Sequence, residues 1–143
     1  MVKILEVHMD YMTWTKDMSV GVKKFDEEHM ALIKIINMLN TAITSKDPKS
    51  RLDEILANLA SYTVTHFDHE EELMEKYGYP GYQEHKKQHS ELTSQVNDYI
   101  ARLKEGKASF SIELMSFLRD WLVNHINGSD KMYWEFFRSK GVG

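Results

Sequence analysis

The sequence predicts an all-α protein: an up-down-up-down antiparallel four-helix bundle with an N-terminal non-helical arm. Three observations carry that reading. Four long segments each repeat apolar residues at helical spacing. Helix-breaking clusters separate them, and the connections are short enough to make sequential helices antiparallel neighbours. No period-two alternation of useful length appears anywhere. The chain has 143 residues, about one domain's worth, and it reads as a single domain over 1–143, with an arm over 1–20 and the bundle over about 21–138.

The first segment repeats Phe25, Leu32, Ile33, Ile36, Leu39 and Ile43. It stops at Ser45-Lys46-Asp47-Pro48, where Asp47 is expected to cap the next helix with Pro48 in its first position. The second repeats Leu52, Ile55, Leu56, Leu59, Tyr62 and Leu73, and ends in the turn Gly78-Tyr79-Pro80-Gly81. The third repeats Leu92, Val96, Tyr99, Ile100 and Leu103, with Gly106 as its stop. The fourth repeats Ile112, Met115, Leu118, Trp121 and Leu122, and Gly128 interrupts it softly.

Composition narrows the function. A net charge of −4 argues against a sequence-independent nucleic-acid binder. The absence of cysteine excludes disulfides, thiolate metal sites, iron–sulfur clusters and cysteine nucleophiles. No stretch approaches the roughly 20 apolar residues of a spanning helix, and the charged first ten residues do not read as a leader. A cytoplasmic location is the expectation.

Six polar residues sit on the apolar stripes. His29 precedes Leu32 and Ile33; His66 and Glu70 continue the second stripe; His85 and His89 begin the third; His125 ends the fourth. One histidine on an apolar face is ordinarily a hydrogen-bonded core residue. Six such groups in one small core are different, because each buried polar group without a partner costs several kcal/mol. A domain with about 5–15 kcal/mol of stability cannot absorb that sum; a shared multivalent cation removes the difficulty. In an up-down-up-down bundle the start of helices one and three and the end of helices two and four share one end, so the six converge. Asp130 follows His125 by five residues, about 140° around an ideal helix, so spacing alone does not nominate it. Gly128 offers a place for the backbone to adjust.

Five imidazoles and the carboxylates exceed what one ion needs, since zinc usually takes four ligands and calcium or magnesium prefer oxygen. They suit two transition ions about 3.5–4 Å apart with carboxylates between them. Imidazole with carboxylate suits iron, although affinity order does not select it. The donor set is richer in neutral groups than that of ferritin-like carboxylate bundles, which points to binding rather than oxidative catalysis.

From Trp14 to Tyr133 the sequence resembles the hemerythrin family, specifically its bacterial form. The pieces that carry the resemblance are Trp14 with Ser19-Val20-Gly21-Val22, Asp26-Glu27-Glu28-His29, His66-Phe67-Asp68-His69-Glu70-Glu71, His85-Lys86-Lys87-Gln88-His89, and Trp121-Leu122-Val123-Asn124-His125-Ile126 ending in Asp130 and Tyr133. The resemblance implies a non-haem di-iron centre that binds dioxygen reversibly, for storage, transport or scavenging. It implies one iron on His85, His89 and His125, the other on His29 and His66, and Glu70, Asp130 and a solvent-derived oxo or hydroxo ion bridging both. The second iron would then keep an open position for dioxygen, or for nitric oxide or a small anion such as azide. Trp121, Leu122 and Ile126 resemble the family's pocket-lining residues. Two other roles compete: a sensor of oxygen, nitric oxide or redox state that signals to a partner, and a di-iron oxidase or peroxidase.

The remaining residues are expected to be ordinary. His8 lies in the arm, and His69 points about 100° away from the ligand face. The run Asp68 to Glu72 reads as a solvated acidic face with only Glu70 inward, and Tyr133 as packing with a hydrogen-bonding tip.

Overall fold

The structure, a computed structural model, describes residues 11–143. Four long helices form the bundle: α1 (Lys23–Thr44), α2 (Lys49–Tyr77), α3 (Tyr82–Lys104) and α4 (Ile112–His125). A π-helical turn, Ile126–Asp130, extends α4, and a short helix α5 (Trp134–Ser139) follows it. Helix α1 packs on α2 and on α4, and α2 packs on α3. There is no strand among the described residues. The predicted stripes make the core: Phe25, Leu32, Ile36 and Leu39 of α1 meet Ile55, Leu56 and Leu59 of α2 and Leu114, Leu118 and Leu122 of α4, all buried. Each such side chain contributes about 1.5–3 kcal/mol on burial.

The turns differ from the expectation in one place. Helix α2 begins at Lys49 with Pro48 as its N-cap, so Pro48 stands one position earlier than expected and Asp47 does not cap. Pro48 is extended there, with ψ 148, and its carbonyl accepts from Arg51 and Leu52. At the other end of α2, Gly78 adopts a left-handed φ of 69. That lets Tyr79 N–H reach back to the Met74 carbonyl at 2.9 Å and close the helix.

The arm departs from its expected character. His8 and Met9 lie outside the described residues. Beyond them the arm is not wholly non-helical: Lys16–Met18 forms one turn of 3-10 helix. It is also packed rather than loose. Met12, Met18 and Val20 are buried. The Asn37 side chain accepts from Met12 N–H at 2.7 Å and donates to the Met12 carbonyl at 2.8 Å, which straps the arm to α1. Asp26, in the first turn of α1, accepts from Ser19 Oγ at 2.6 Å and from Val20 N–H at 2.9 Å. Its charge also sits well at a helix N-terminus. Gly21 has φ 76, and a Cβ there would stand 2.2 Å from Trp134 Nε1, so the arm and α5 meet only because residue 21 has no side chain.

Candidate metal centre

The six inward residues of the helical stripes meet at one depth of the bundle. His29 comes from α1, His66 and Glu70 from α2, His85 and His89 from α3, and His125 from α4; all are buried. Asp130 joins them, fully buried. The backbone explains how. An ideal α-helix would turn Asp130 away from His125, but residues 126–130 form a π turn. Bonding to the fifth residue lowers the angular step and brings side chains five apart toward one face. Asp130 Oδ1 accordingly stands 3.0 Å from His125 Nε2. Gly128 lies inside that turn, where the adjustment was expected.

The seven residues fall into two groups of donors. Glu70, His85, His89, His125 and Asp130 bring ligand atoms within 4.8 Å of one another, and so do His29, His66, Glu70 and Asp130. The two carboxylates belong to both, and each divides its oxygens between them. Glu70 Oε1 faces His85 Nε2 at 3.4 Å and His89 Nε2 at 3.2 Å. Its Oε2 faces His66 Nε2 at 3.2 Å and His29 Nε2 at 3.5 Å. Asp130 Oδ1 faces His85 Nε2 at 2.8 Å, and Oδ2 faces His29 Nε2 at 3.1 Å. Glu70 Oε1, both oxygens of Asp130, His85 Nε2 and both ring nitrogens of His29 have no hydrogen-bond partner although they are buried. Most of these orphaned atoms point at the same interior space, and a cation there supplies what they lack.

The charges agree. Without a metal, burial opposes the charged form of His66, yet Glu70, Glu28 and Asp130 outweigh it and raise the imidazole to about 10. Burial likewise opposes charge on His85, but Asp130 and Glu70 lift it to about 9. His29 is raised by the same two carboxylates against its burial. Glu70 lies well below the usual carboxylate range because His66, His29 and His85 overcome its desolvation. Asp130 is also lowered: burial and the Glu70 charge push it up, but His125 and His29 pull it down further. Protons thus stand where a cation would stand.

An outer layer orients the imidazoles. Glu28 Oε1 meets His66 Nδ1 at 2.6 Å, and Glu71 Oε2 meets His89 Nδ1 at 2.8 Å. Glu71 therefore corrects the reading of residues 68–72 as a solvated face; the run supplies an orienting carboxylate as well as Glu70. His69 stays out of the donor groups, and its Nδ1 bonds the other oxygen of Glu28 at 2.5 Å. Tyr133, fully buried, donates its hydroxyl to Glu70 Oε2 at 2.7 Å. Burial and the neighbouring Glu70 and Asp130 charges hold that phenol well above its ordinary value.

An apolar cavity of about 40 Å³ adjoins the centre, with Leu32, Leu59, Phe67, Leu92, Trp121 and Leu122 among its walls. Phe67 stacks on His89 at 3.7 Å between ring centres, and Trp121 on His125 at 4.5 Å. Ile126 is fully buried but stands outside the cavity's walls.

Four helices with imidazoles and carboxylates pooled at one level define a bundle-type metal-binding domain. The family model for the hemerythrin HHE cation binding domain matches residues 20–136, and the chain belongs to that family. It is 36% identical over 125 residues to a bacteriohemerythrin of Stenotrophomonas maltophilia, covering 87% of this chain and 80% of that protein. It is 36% identical over 121 residues to a myohemerythrin of Riftia pachyptila, covering 84% and 88%. A crystal structure of wild-type hemerythrin superposes with a TM-score of 0.82 at 35% identity, over 87% of this chain and 96% of that one.

Proposed function

We propose that the chain binds dioxygen reversibly at a pair of iron ions, within a single domain over 1–143, as a store, carrier or scavenger rather than a catalyst. The observation that carries this reading is the division of oxygens in Glu70 and Asp130 between two donor groups. His85, His89 and His125 would hold one ion, His29 and His66 the other, and both carboxylates would bridge. One side then has five protein donors and the other four. On equal coordination numbers the four-donor side keeps one more position for an outside ligand, as a binding centre requires. A ferrous pair supplies the two electrons that dioxygen takes up on binding and returns on release.

The chain's own residues do the rest. Leu122 and Trp121, in the walls of the neighbouring cavity, and the buried Ile126 support an apolar, water-poor surround for the bound ligand. Phe67 and Trp121 clamp two imidazoles of the five-donor side against rotation. Glu28 and Glu71 accept from the outer nitrogens of His66 and His89, so that their Nε2 atoms point inward. Tyr133 holds Glu70 in its bridging orientation. Other small ligands, nitric oxide and azide among them, fit the same position. A cytoplasmic location is part of the proposal; no described helix is long and apolar enough to cross a membrane.

The test is metal analysis combined with an optical spectrum, before and after anaerobic reduction and re-aeration. The reading expects about two irons per chain and a charge-transfer band that disappears and returns. Manganese or zinc in place of iron, or a band that never returns, overturns it.

A further inference from the structure

We propose that His69 is a positioning residue for the four-donor side of the centre, acting through Glu28 to fix the imidazole of His66; the inference rests on the two-ion reading above. Glu28 comes from α1, and both of its oxygens are engaged by α2: Oε1 by His66 Nδ1 at 2.6 Å, Oε2 by His69 Nδ1 at 2.5 Å. His66 and His69 are three residues apart and share a helix face, so one carboxylate spans both. Held at two points, the carboxylate of Glu28 cannot turn about its terminal bond without losing a partner.

The five-donor side is built differently. There Glu71 meets His89 Nδ1 with Oε2 alone. Among the described residues no side chain bonds its other oxygen, and the Glu71 side chain is 18% exposed against 11% for Glu28. The structure therefore spends a second histidine on the side with fewer donors. That side gains most from it. A ligating histidine whose outer N–H is fixed keeps its tautomer and ring orientation, and loss of such a partner costs roughly 10–100-fold in metal affinity. With only four protein donors, each imprecisely aimed imidazole is a larger share of what holds that ion. It is also the side that keeps a position for the outside ligand.

His69 is 31% exposed at its side chain, so replacing it opens no cavity. The test uses the full chain, stripped of metal, titrated anaerobically with ferrous iron by calorimetry as wild type, His69→Ala and His69→Gln. The wild type takes up two equivalents. His69→Ala binds the first within about twofold of wild type and the second more weakly, by up to about tenfold, the lower end of what losing Glu28 itself would cost. His69→Gln, whose amide N–H reaches the same oxygen, restores the second to the wild-type affinity. A variant that merely loosens the contact between α1 and α2 weakens both equivalents together, ignores the glutamine, and overturns the proposal. So does an alanine variant that binds both equivalents as the wild type does. A wild type that takes up fewer than two equivalents overturns the two-ion reading itself, and this inference with it.

Discussion

Replacing Tyr133 by phenylalanine isolates one bond of the centre. The ring is fully buried against Phe25 and Phe137, and Phe keeps its volume, so no cavity forms. What is lost is the hydroxyl that donates to Glu70 Oε2 at 2.7 Å. Hydrogen bonds to charged groups contribute about 1.5–3 kcal/mol. Glu70 Oε2 retains two histidine neighbours, at 3.2 and 3.5 Å, so the loss belongs near the lower end of that range. For a chain of this length about 2 kcal/mol lowers Tm by roughly 4–8 °C in the metal-free protein. With metal bound, Glu70 shares its charge with the ions and the same bond counts as nearer neutral, about 1 kcal/mol. Thermal unfolding followed by circular dichroism, with and without iron, measures both. A metal-free Tm unchanged within a degree, or a larger loss in the iron-loaded form than in the metal-free form, refutes the role given to Tyr133.

Leu122→Gln is expected to shorten the life of the oxygenated form, followed as decay of its optical band, because an amide beside the cavity admits water; burying that amide without a partner also costs about 1–3 kcal/mol. In the metal-free protein the raised His66 and His85, at about 10 and about 9, stabilise fully below the unfolded value of about 6.5 and lose that contribution as pH rises through their folded values. The lowered Glu70 and Asp130 stabilise above the unfolded value of about 4 and lose their contribution as pH falls. Metal-free Tm therefore peaks at roughly pH 5–6.5, whereas metal affinity, which must displace histidine protons, rises from pH 6 to 8 in a calorimetric titration. Stripping the ions with a chelator is expected to lower Tm: at free metal about 100-fold above Kd each ion contributes about 2.7 kcal/mol, and equal Tm values with and without iron contradict a preformed site.

Much of this architecture is legible in the order of residues, and the exceptions are instructive. The helices follow from apolar period and breakers, and six donors from their place on the apolar stripes. Asp130 was out of reach of that reasoning because the step of a π turn is not that of an α-helix; only the resemblance supplied it. Glu28 and Glu71 were hidden among neighbouring acids, although a signal existed. Glu28 lies between Phe25 and Leu32 at spacings of three and four, and Glu71 between Phe67 and Met74 at four and three. Both thus stand on apolar stripes next to an inward donor, Glu28 beside His29 and Glu71 beside Glu70. Pro48 shifted by one because its extended backbone serves as a cap without any side-chain bond. The docking of Met12 depends on Asn37, a contact 25 residues away that no local pattern reveals.

The most direct measurement is anomalous diffraction at the iron edge from crystals of the iron-loaded chain. Two peaks about 3.5–4 Å apart are expected, with Glu70 and Asp130 each giving one oxygen to either side. A solitary peak, or a second one remote from those carboxylates, would contradict the shared cradle on which the whole reading stands.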